Sequence, residues 1–314
     1  MRFINDLHST DAFFNLAAEE FVLNHSEEDV CRIWQNKNAV VIGKHQALPV
    51  EVNTRAAEEK KVQVARRMSG GGTVYHDLGN INFTFIVHNE KGKNWINFDR
   101  FTIPVLEILQ EIGIPAEKNE RNDLLVNGFK VSGNAEHLSQ KLGKTIHHGT
   151  LLFDSDLKNL GAVLKTPYQK FDGKFVNSKR SKVANIADYT PQPLYLENFR
   201  ELLAKGLTKR LEANTKSWTP EEIDAIEKLK VLKYATDKWV YGYSPKFSFK
   251  TELDKEDLII QTEKGKIIEI QSAAIELKSL EGMYYNFSQI NAALNQLNIS
   301  NHQMQATLDC IFPL

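Results

Sequence analysis

Three consecutive glycines in Arg66-Arg67-Met68-Ser69-Gly70-Gly71-Gly72-Thr73-Val74-Tyr75-His76-Asp77 stand just before a β-prone run, Ile81 to His88. No other stretch restricts the local fold as tightly. A backbone without Cβ atoms lets its N–H groups approach a ligand, and such loops bind anions through those amides. Arg66 and Arg67 add charge and bidentate donors suited to phosphate or carboxylate. The plainer alternative is a flexible turn beside a solvated arginine pair. In the run that follows, Ile81, Phe83, Phe85 and Val87 alternate with Asn82, Thr84, Ile86 and His88, the pattern of a half-buried strand.

The wider composition excludes several classes. The 314 residues carry 39 Lys+Arg against 40 Asp+Glu, a net charge of −1. A broad polyanion-binding surface would require a basic excess, and a disordered chain fewer apolar residues than the 42% present. No nucleic-acid partner is expected. The length points to two domains, or to one large domain with an appendage. Cys31 and Cys310 lie near opposite ends, and the first residues meet acid and His8 before any apolar core develops. Neither a disulfide framework nor a secretory leader is therefore expected, and the cytoplasm is the expected setting. No run approaches the roughly 18 apolar residues of a membrane span.

Ser9 and Thr10 are candidate N-caps for an amphipathic helix through Phe14, Ala17, Ala18, Phe21 and Val22. Val30 to Trp34 and Ala39 to Lys44, separated by Gln35-Asn36-Lys37-Asn38, resemble a hairpin. Further helices are predicted over 54–61, along the Phe101 to Ile112 stripe that Gly113 and Pro115 should stop, and over 196–213. Thr219-Pro220-Glu221-Glu222 reads as a capping box opening another. Asn127-Gly128 between two β-prone triplets is a strong hairpin signal, because both turn residues tolerate positive φ. Ile146 to Phe153 is a further strand. A boundary is expected near Gly242-Tyr243-Ser244-Pro245, followed by a hairpin around Glu263-Lys264-Gly265-Lys266 and a helix over 287–297. The chain thus divides into a domain over 1–248 and a small αβ unit over 249–314.

The commoner nucleotide motifs are missing. Gly143-Lys144-Thr145 has Leu138 where the phosphate-binding loop of NTPases needs glycine, and Tyr75 breaks the dinucleotide-binding spacing after Gly70 and Gly72. His147 and His148 are adjacent and face opposite sides of a strand, so no zinc site and no permanent metal ligand are expected. The turn at Asn127-Gly128 places Lys130 on the returning strand, where an ammonium has a defined face. Lys165, Lys170, Lys174, Lys179, Arg180 and Lys182 form a local basic stretch with Asp172 as its one acid. It reads as a solvated loop or as a lid over an anion.

Taken together, these segments are recognisable. Arg-Arg-x-Ser-Gly-Gly-Gly-Thr-Val-Tyr-His-Asp-x-Gly-Asn from Arg66, Lys-Val-Ser-Gly-Asn-Ala from Lys130 and His-His-Gly-Thr-Leu-Leu-Phe from His147 resemble the signature blocks of lipoate-protein ligases. Asp11 to Glu20, Trp34 to Gln46 and Arg121-Asn122-Asp123-Leu124 are similar to other parts of that family. The likeness spans almost all of the first 245 residues, and the carboxy-terminal unit is similar to the family's accessory domain.

The resemblance implies an α+β fold shared with biotin ligases, a mixed and largely antiparallel sheet flanked by helices. It implies an enzyme that uses ATP and Mg²⁺ to convert free lipoate to lipoyl-AMP, then passes the lipoyl group to one lysine of a lipoyl domain. Acceptors in the family are the E2 subunits of 2-oxoacid dehydrogenases and the glycine-cleavage H protein. Lys130 matches the lysine that touches both carboxylate and α-phosphate. Arg67, Asp123, Gly72, Thr73, Val74 and Tyr75 match ATP- and adenylate-binding positions. Arg66, Ser69, Gly70, Gly71 and His148, with Lys130, match lipoate-binding positions. Leu16, Val41 and Ala135 are candidates for the apolar slot. The Lys165–Lys182 stretch corresponds to the region that covers the adenylate. Related octanoyl or lipoyl amidotransferases use a cysteine acyl-enzyme, and neither Cys31 nor Cys310 lies in a signature block. A non-catalytic module binding a lipoyl group, a nucleotide or RNA is the other alternative; the pairing of Lys130 with Arg67 counts against it.

Overall fold

The computed structural model describes residues 1–90, 96–164, 170–178 and 181–313. The chain opens with β1 (Arg2–Asn5), α1 (Ala12–His25), β2 (Val30–Trp34), β3 (Ala39–Ile42), α2 (Leu48–Glu51), α3 (Thr54–Glu59), β4 (Gln63–Arg66), β5 (Val74–His76) and β6 (Asn80–His88). Next come α4 (Phe98–Glu111), β7 (Ala116–Lys118), β8 (Leu124–Val126), β9 (Phe129–Ser132), β10 (Asn134–Ser139), β11 (Lys144–Leu152), α5 (Leu157–Val163) and β12 (Phe171–Gly173). The rest is α6 (Leu196–Arg210), β13 (Asn214–Thr215), α7 (Pro220–Leu229), α8 (Asp237–Val240), β14 (Phe247–Leu253), β15 (Glu256–Glu263), β16 (Lys266–Ser272), α9 (Phe287–Leu294) and α10 (Asn301–Ile311). Among the described residues no helix is long and apolar enough to cross a membrane.

A six-stranded mixed sheet in the order β10-β11-β6-β2-β1-β13 forms the frame of the larger unit. Its parallel pairs are β1 with β2 and β1 with β13; the others are antiparallel. Phe83, Phe85, Leu151 and Phe153 on one face pack with Phe101, Val105 and Leu109 of α4 and with Phe199 and Leu203 of α6. Removing these side chains from water is the main stabilising term, at about 25 cal/mol for each Å² of apolar surface. The stop at the end of α4 is the expected one, with Gly113 at φ 85°. These are the mixed, largely antiparallel sheets flanked by helices that the sequence leads one to expect.

Three expectations need correction. β2 and β3 are not a hairpin: β2 lies between β1 and β6, while β3 lies between β4 and β5 in a separate sheet. Every residue of both strands is buried, so each requires cover on two faces and neighbours on two edges. The link between them is also fixed, since Asn36 is fully buried and the Lys37 amide donates to the Thr10 carbonyl at 2.9 Å. β6, in turn, is not half-solvated. Asn82 and Thr84 are buried, and Thr84 accepts from Trp34 Nε1 at 2.9 Å and donates to Glu19 Oε1 at 2.6 Å. At the start of α1, Asp11 caps the helix by accepting from the Phe13 amide, and Ser9 instead accepts from Asp11.

The second sheet has the order β12-β14-β15-β16. α9 and α10 cover it, and Phe249, Ile260, Tyr285, Ile290 and Leu308 form its core together with Ala47, the N-cap of α2, and Val50 within it. Its first C-terminal strand starts at Phe247. One edge strand, β12, comes from the middle of the chain and pairs Phe171 with Phe249 and Gly173 with Phe247. The sequence reading also omits α10, which a Ser300–Gln303 capping box opens.

Candidate active site

The glycine run forms the turn between β4 and β5, strands that both pair with β3. It curls against Gly43 so closely that a Cβ there would lie 2.2 Å from the Gly71 carbonyl oxygen. Gly71 itself has φ +89°, which L side chains rarely adopt. Arg67 organises the turn from beneath. Its Nε donates to Ser69 Oγ at 2.9 Å, Nη1 to the Val41 carbonyl at 3.0 Å, and Nη2 to the Gly70 and Gly72 carbonyls, both at 2.7 Å. Burial pulls its pKa down to about 10, which still leaves a full positive charge at neutral pH.

Facing that turn is the β8–β9 hairpin. Asn127 and Gly128 take φ 50° and 80°, as the sequence leads one to expect. Lys130 Nζ pairs with Asp123 Oδ1 at 2.8 Å. A Cβ at Gly133 would stand 3.0 Å from Lys130 Nζ, so this glycine leaves room for the ammonium. The Lys130 backbone is pinned on its other edge, donating to the Lys182 carbonyl at 2.9 Å and accepting from the Ala184 amide at 3.2 Å.

Between turn and hairpin is a cavity of about 320 Å³. Of the residues singled out in the sequence, Lys130, Asp123, Arg67, Gly71, Gly72, Thr73, Val74 and His148 line it, as do Leu16, Val41 and Ala135. The charged groups and the apolar ones thus share one chamber. Arg66, Ser69, Gly70 and Tyr75 do not line it. The Arg66 guanidinium turns the other way, donating to the Val240, Gly43, Lys44 and Gln46 carbonyls and to Ser244 Oγ at 2.8 to 3.1 Å. Burial lowers its pKa to about 9. Tyr75 donates its hydroxyl to Asn38. Ser69 stands behind the turn, 2.6 Å from His148 Nε2, and His148 Nδ1 lies 3.1 Å from Glu19 Oε1.

The basic stretch contributes differently from its charge. Lys165, Lys179 and Arg180 lie outside the described residues. Lys170 donates to Thr251 Oγ1 on β14 at 2.7 Å, and Lys174 and Lys182 are exposed. What reaches the cavity is Val176, Asn177, Ser178 and Ser181. Ser178 Oγ accepts from the Thr73 amide at 2.8 Å and donates to Glu51 Oε2.

Trp34, His76, Asn82 and Arg121 also line the chamber and are not among the residues picked as sites from the sequence. A signal for Asn82 was present: a polar residue on a strand whose other face is all Ile, Phe and Val. It reads as solvent-facing until α1 is seen to cover that side. Both cysteines are unpaired and away from the cavity; Cys31 is fully buried, and burial pushes its thiol pKa far up.

Residues 11–208 match the family described as the lipoyl protein ligase A/B catalytic domain. The chain is 35% identical over 299 residues to lipoate–protein ligase 1 of Staphylococcus aureus, covering 95% of this chain and 89% of the relative. Among solved structures, that of P. falciparum LipL1 in complex with lipoate aligns over 98% of this chain and 97% of its own, with TM-score 0.62 and 26% identity. A lipoate-protein ligase A bound with ATP aligns over 76% of this chain and 97% of its own, with TM-score 0.65 and 24% identity, a likeness of fold.

Proposed function

The chain belongs to the lipoyl protein ligase A/B catalytic-domain family, and from that premise we propose how its cavity carries out ligation. The protein is an ATP-dependent lipoate-protein ligase. A carboxylate does not acylate an amine at neutral pH, because the leaving group would be oxide. In the first half-reaction a lipoate carboxylate oxygen attacks the α-phosphorus of ATP, the bond to the bridging oxygen of pyrophosphate breaks, and an acyl phosphate anhydride forms. In the second, a lysine amine of the acceptor attacks the acyl carbon, AMP departs, and the amine loses a proton.

Both reactants of the first step are anions, so fixed positive charge at their meeting point lowers the barrier. We assign that charge to Lys130, positioned by Asp123 at 2.8 Å. Gly72, Thr73 and Val74 present backbone to the nucleotide, and Arg67 holds their turn in shape while lending charge from below. Leu16, Val41 and Ala135 receive the aliphatic tail, with His148 behind them. Arg66, Ser69, Gly70 and Tyr75 act on this picture through the turn they support. The single carboxylate among the lining residues is Asp123. A Mg²⁺ ion binds through one or two carboxylates plus phosphate oxygens, so Asp123 fits it, and the ion would supply further charge on the nucleotide. We assign residues 249–314 the accessory role and extend the acceptors to lipoyl domains. Free cysteines suit a reducing cytoplasm.

The observation that carries the reading is one cavity in which Lys130 and Asp123 face the Gly71–Thr73 turn beside an apolar slot. The cysteine acyl-enzyme route has no thiol there. Lipoate-dependent exchange of pyrophosphate into ATP should be present in the native chain and fall at least about 100-fold in Lys130→Ala, the size of one lost electrostatic contact at a transition state. Exchange that is absent from the native chain, or unchanged in the variant, overturns the assignment. Adding an apo lipoyl domain separates full ligation from adenylate formation.

A further inference from the structure

The mechanism leaves two buried polar atoms of the cavity wall unused. His76 Nε2 and Asn82 Nδ2 have no hydrogen-bond partner, on residues only 3% and 1% exposed, and both residues line the chamber. Buried donors in that state are rare and call for an account.

The proton on His76 can be assigned by following donors inward. Arginine only donates, so Arg32 Nη2 fixes the Asn15 amide with its oxygen toward the guanidinium. Asn15 Nδ2 then donates to Asn36 Oδ1 at 2.9 Å, which leaves Asn36 Nδ2 to donate to His76 Nδ1, also at 2.9 Å. Nδ1 therefore accepts, and the ring hydrogen sits on Nε2. Arg32 is itself held by a buried pair with Asp6 at 2.7 Å, so the whole chain is anchored. Burial, with Arg67 and His148 nearby, pulls the imidazole pKa down to about 3, and the ring stays neutral under working conditions.

His76 follows Val74 by two on β5, so both project to the same side. Trp34 stands edge-on to the imidazole, centroid to centroid 6.0 Å. Trp34 and Val74 pack in one cluster with Leu16 and Val41, and all of them line the chamber with His76, so the donor lies among the groups that would take the acyl tail. A saturated hydrocarbon there would bury the N–H unsatisfied. A ring sulfur is a weak acceptor and polarisable enough to suit the indole as well.

We propose that His76, held as its Nε2–H tautomer by the Arg32–Asn15–Asn36 chain, donates to a dithiolane sulfur and is a specificity-determining residue that favours lipoate over sulfur-free acids of like shape. The proposal rests on the reading of the cavity as an acyl-adenylate site.

The test measures acid-dependent ATP–pyrophosphate exchange by the full chain with three acids: lipoate, 5-cyclopentylpentanoate, which keeps the five-membered ring without sulfur, and octanoate. The native chain should prefer lipoate to the cyclopentyl acid by about tenfold in kcat/KM, the effect expected of one unpaired buried donor. His76→Phe removes the donor; Asn36→Asp keeps the imidazole and makes Nδ1 the donor instead. Both should bring the ratio close to one, chiefly by raising KM for lipoate. A native chain with no preference, a native ratio in either variant that retains activity, or equal loss with all three acids in both variants overturns the proposal. A native chain that activates none of the acids fails at the proposed function instead, which keeps the two failures apart.

Discussion

Gly43 shows how much can rest on one absent methyl group. With the Gly71 oxygen 2.2 Å from where a Cβ would sit, Gly43→Ala must push the turn away from β3. We expect a cost of about 1–3 kcal/mol to the fold, typical of overpacking, but a fall of roughly 100-fold in adenylate formation, because a displacement near 1 Å is that damaging to a positioned reactant. Thermal unfolding and pyrophosphate exchange on the same preparation check the split. A second residue-level case is Asp6, wholly buried against Arg32. Burial pushes its carboxyl pKa up, but Arg32, the Trp218 indole N–H and the His8 amide together hold it below its ordinary value. A depressed carboxyl contributes stability that is full above its unfolded pKa, about 3.9, and is lost as pH falls through the lower folded value. Asp6→Asn should therefore cost about 3–5 kcal/mol at neutral pH by stranding a buried guanidinium. The deficit should persist down to about pH 4 and shrink in more acid solution. Urea titrations across that range measure it.

Elements with a local cause were legible in the sequence, and elements with a distant one were not. Asn127-Gly128 makes its turn because both residues accept positive φ, and Thr219 makes its capping box because the partner is three residues away. The second case also recruits Arg2, whose guanidinium bonds both oxygens of Glu222. Thr219→Ala should cost about 1 kcal/mol, visible as a small shift of the urea midpoint with an unchanged slope. The pairing of β2 and β3, by contrast, is not legible, because adjacency in sequence is the only local cue, whereas their sheets are decided by burial on both faces. The same holds at the site. Lys130, Arg67 and the glycine turn stand out by composition and by family likeness. His76, Asn82 and Trp34 become site residues only when β2, β5 and β6 bring them to one wall. Arg66, adjacent to Arg67 and identical in type, faces the other way because neighbouring strand residues alternate.

At the scale of the molecule, the near-zero charge balance conceals segregation of charge more than it predicts it. Arg67, Arg121 and Lys130 meet at the cavity, whereas the described lysines of the basic stretch point to solvent or to β14. A division near residue 248, as expected from the sequence, would cut across contacts that the structure holds. A chain ending at Lys246 loses β14, leaves Phe171 without Phe249, and bares Ala47 and Val50. We expect it to bind a hydrophobic dye, to unfold at lower temperature than the full chain, and to lose order at Ser178, whose place over the Thr73 amide is linked to β12 by only a few residues. Amide exchange at Thr73 reports that last effect directly.

The borrowed strand also bears on how the protein is made. Synthesis delivers Phe171–Gly173 well before Phe247–Leu253 exists to pair with it. The neighbouring segment, which roofs the cavity through Val176 and Ser178, is thus tethered at that end only once β14 has left the ribosome. A nascent polypeptide therefore acquires its glycine turn and its lysine hairpin early and its roof late, which withholds the finished chamber until translation is nearly done.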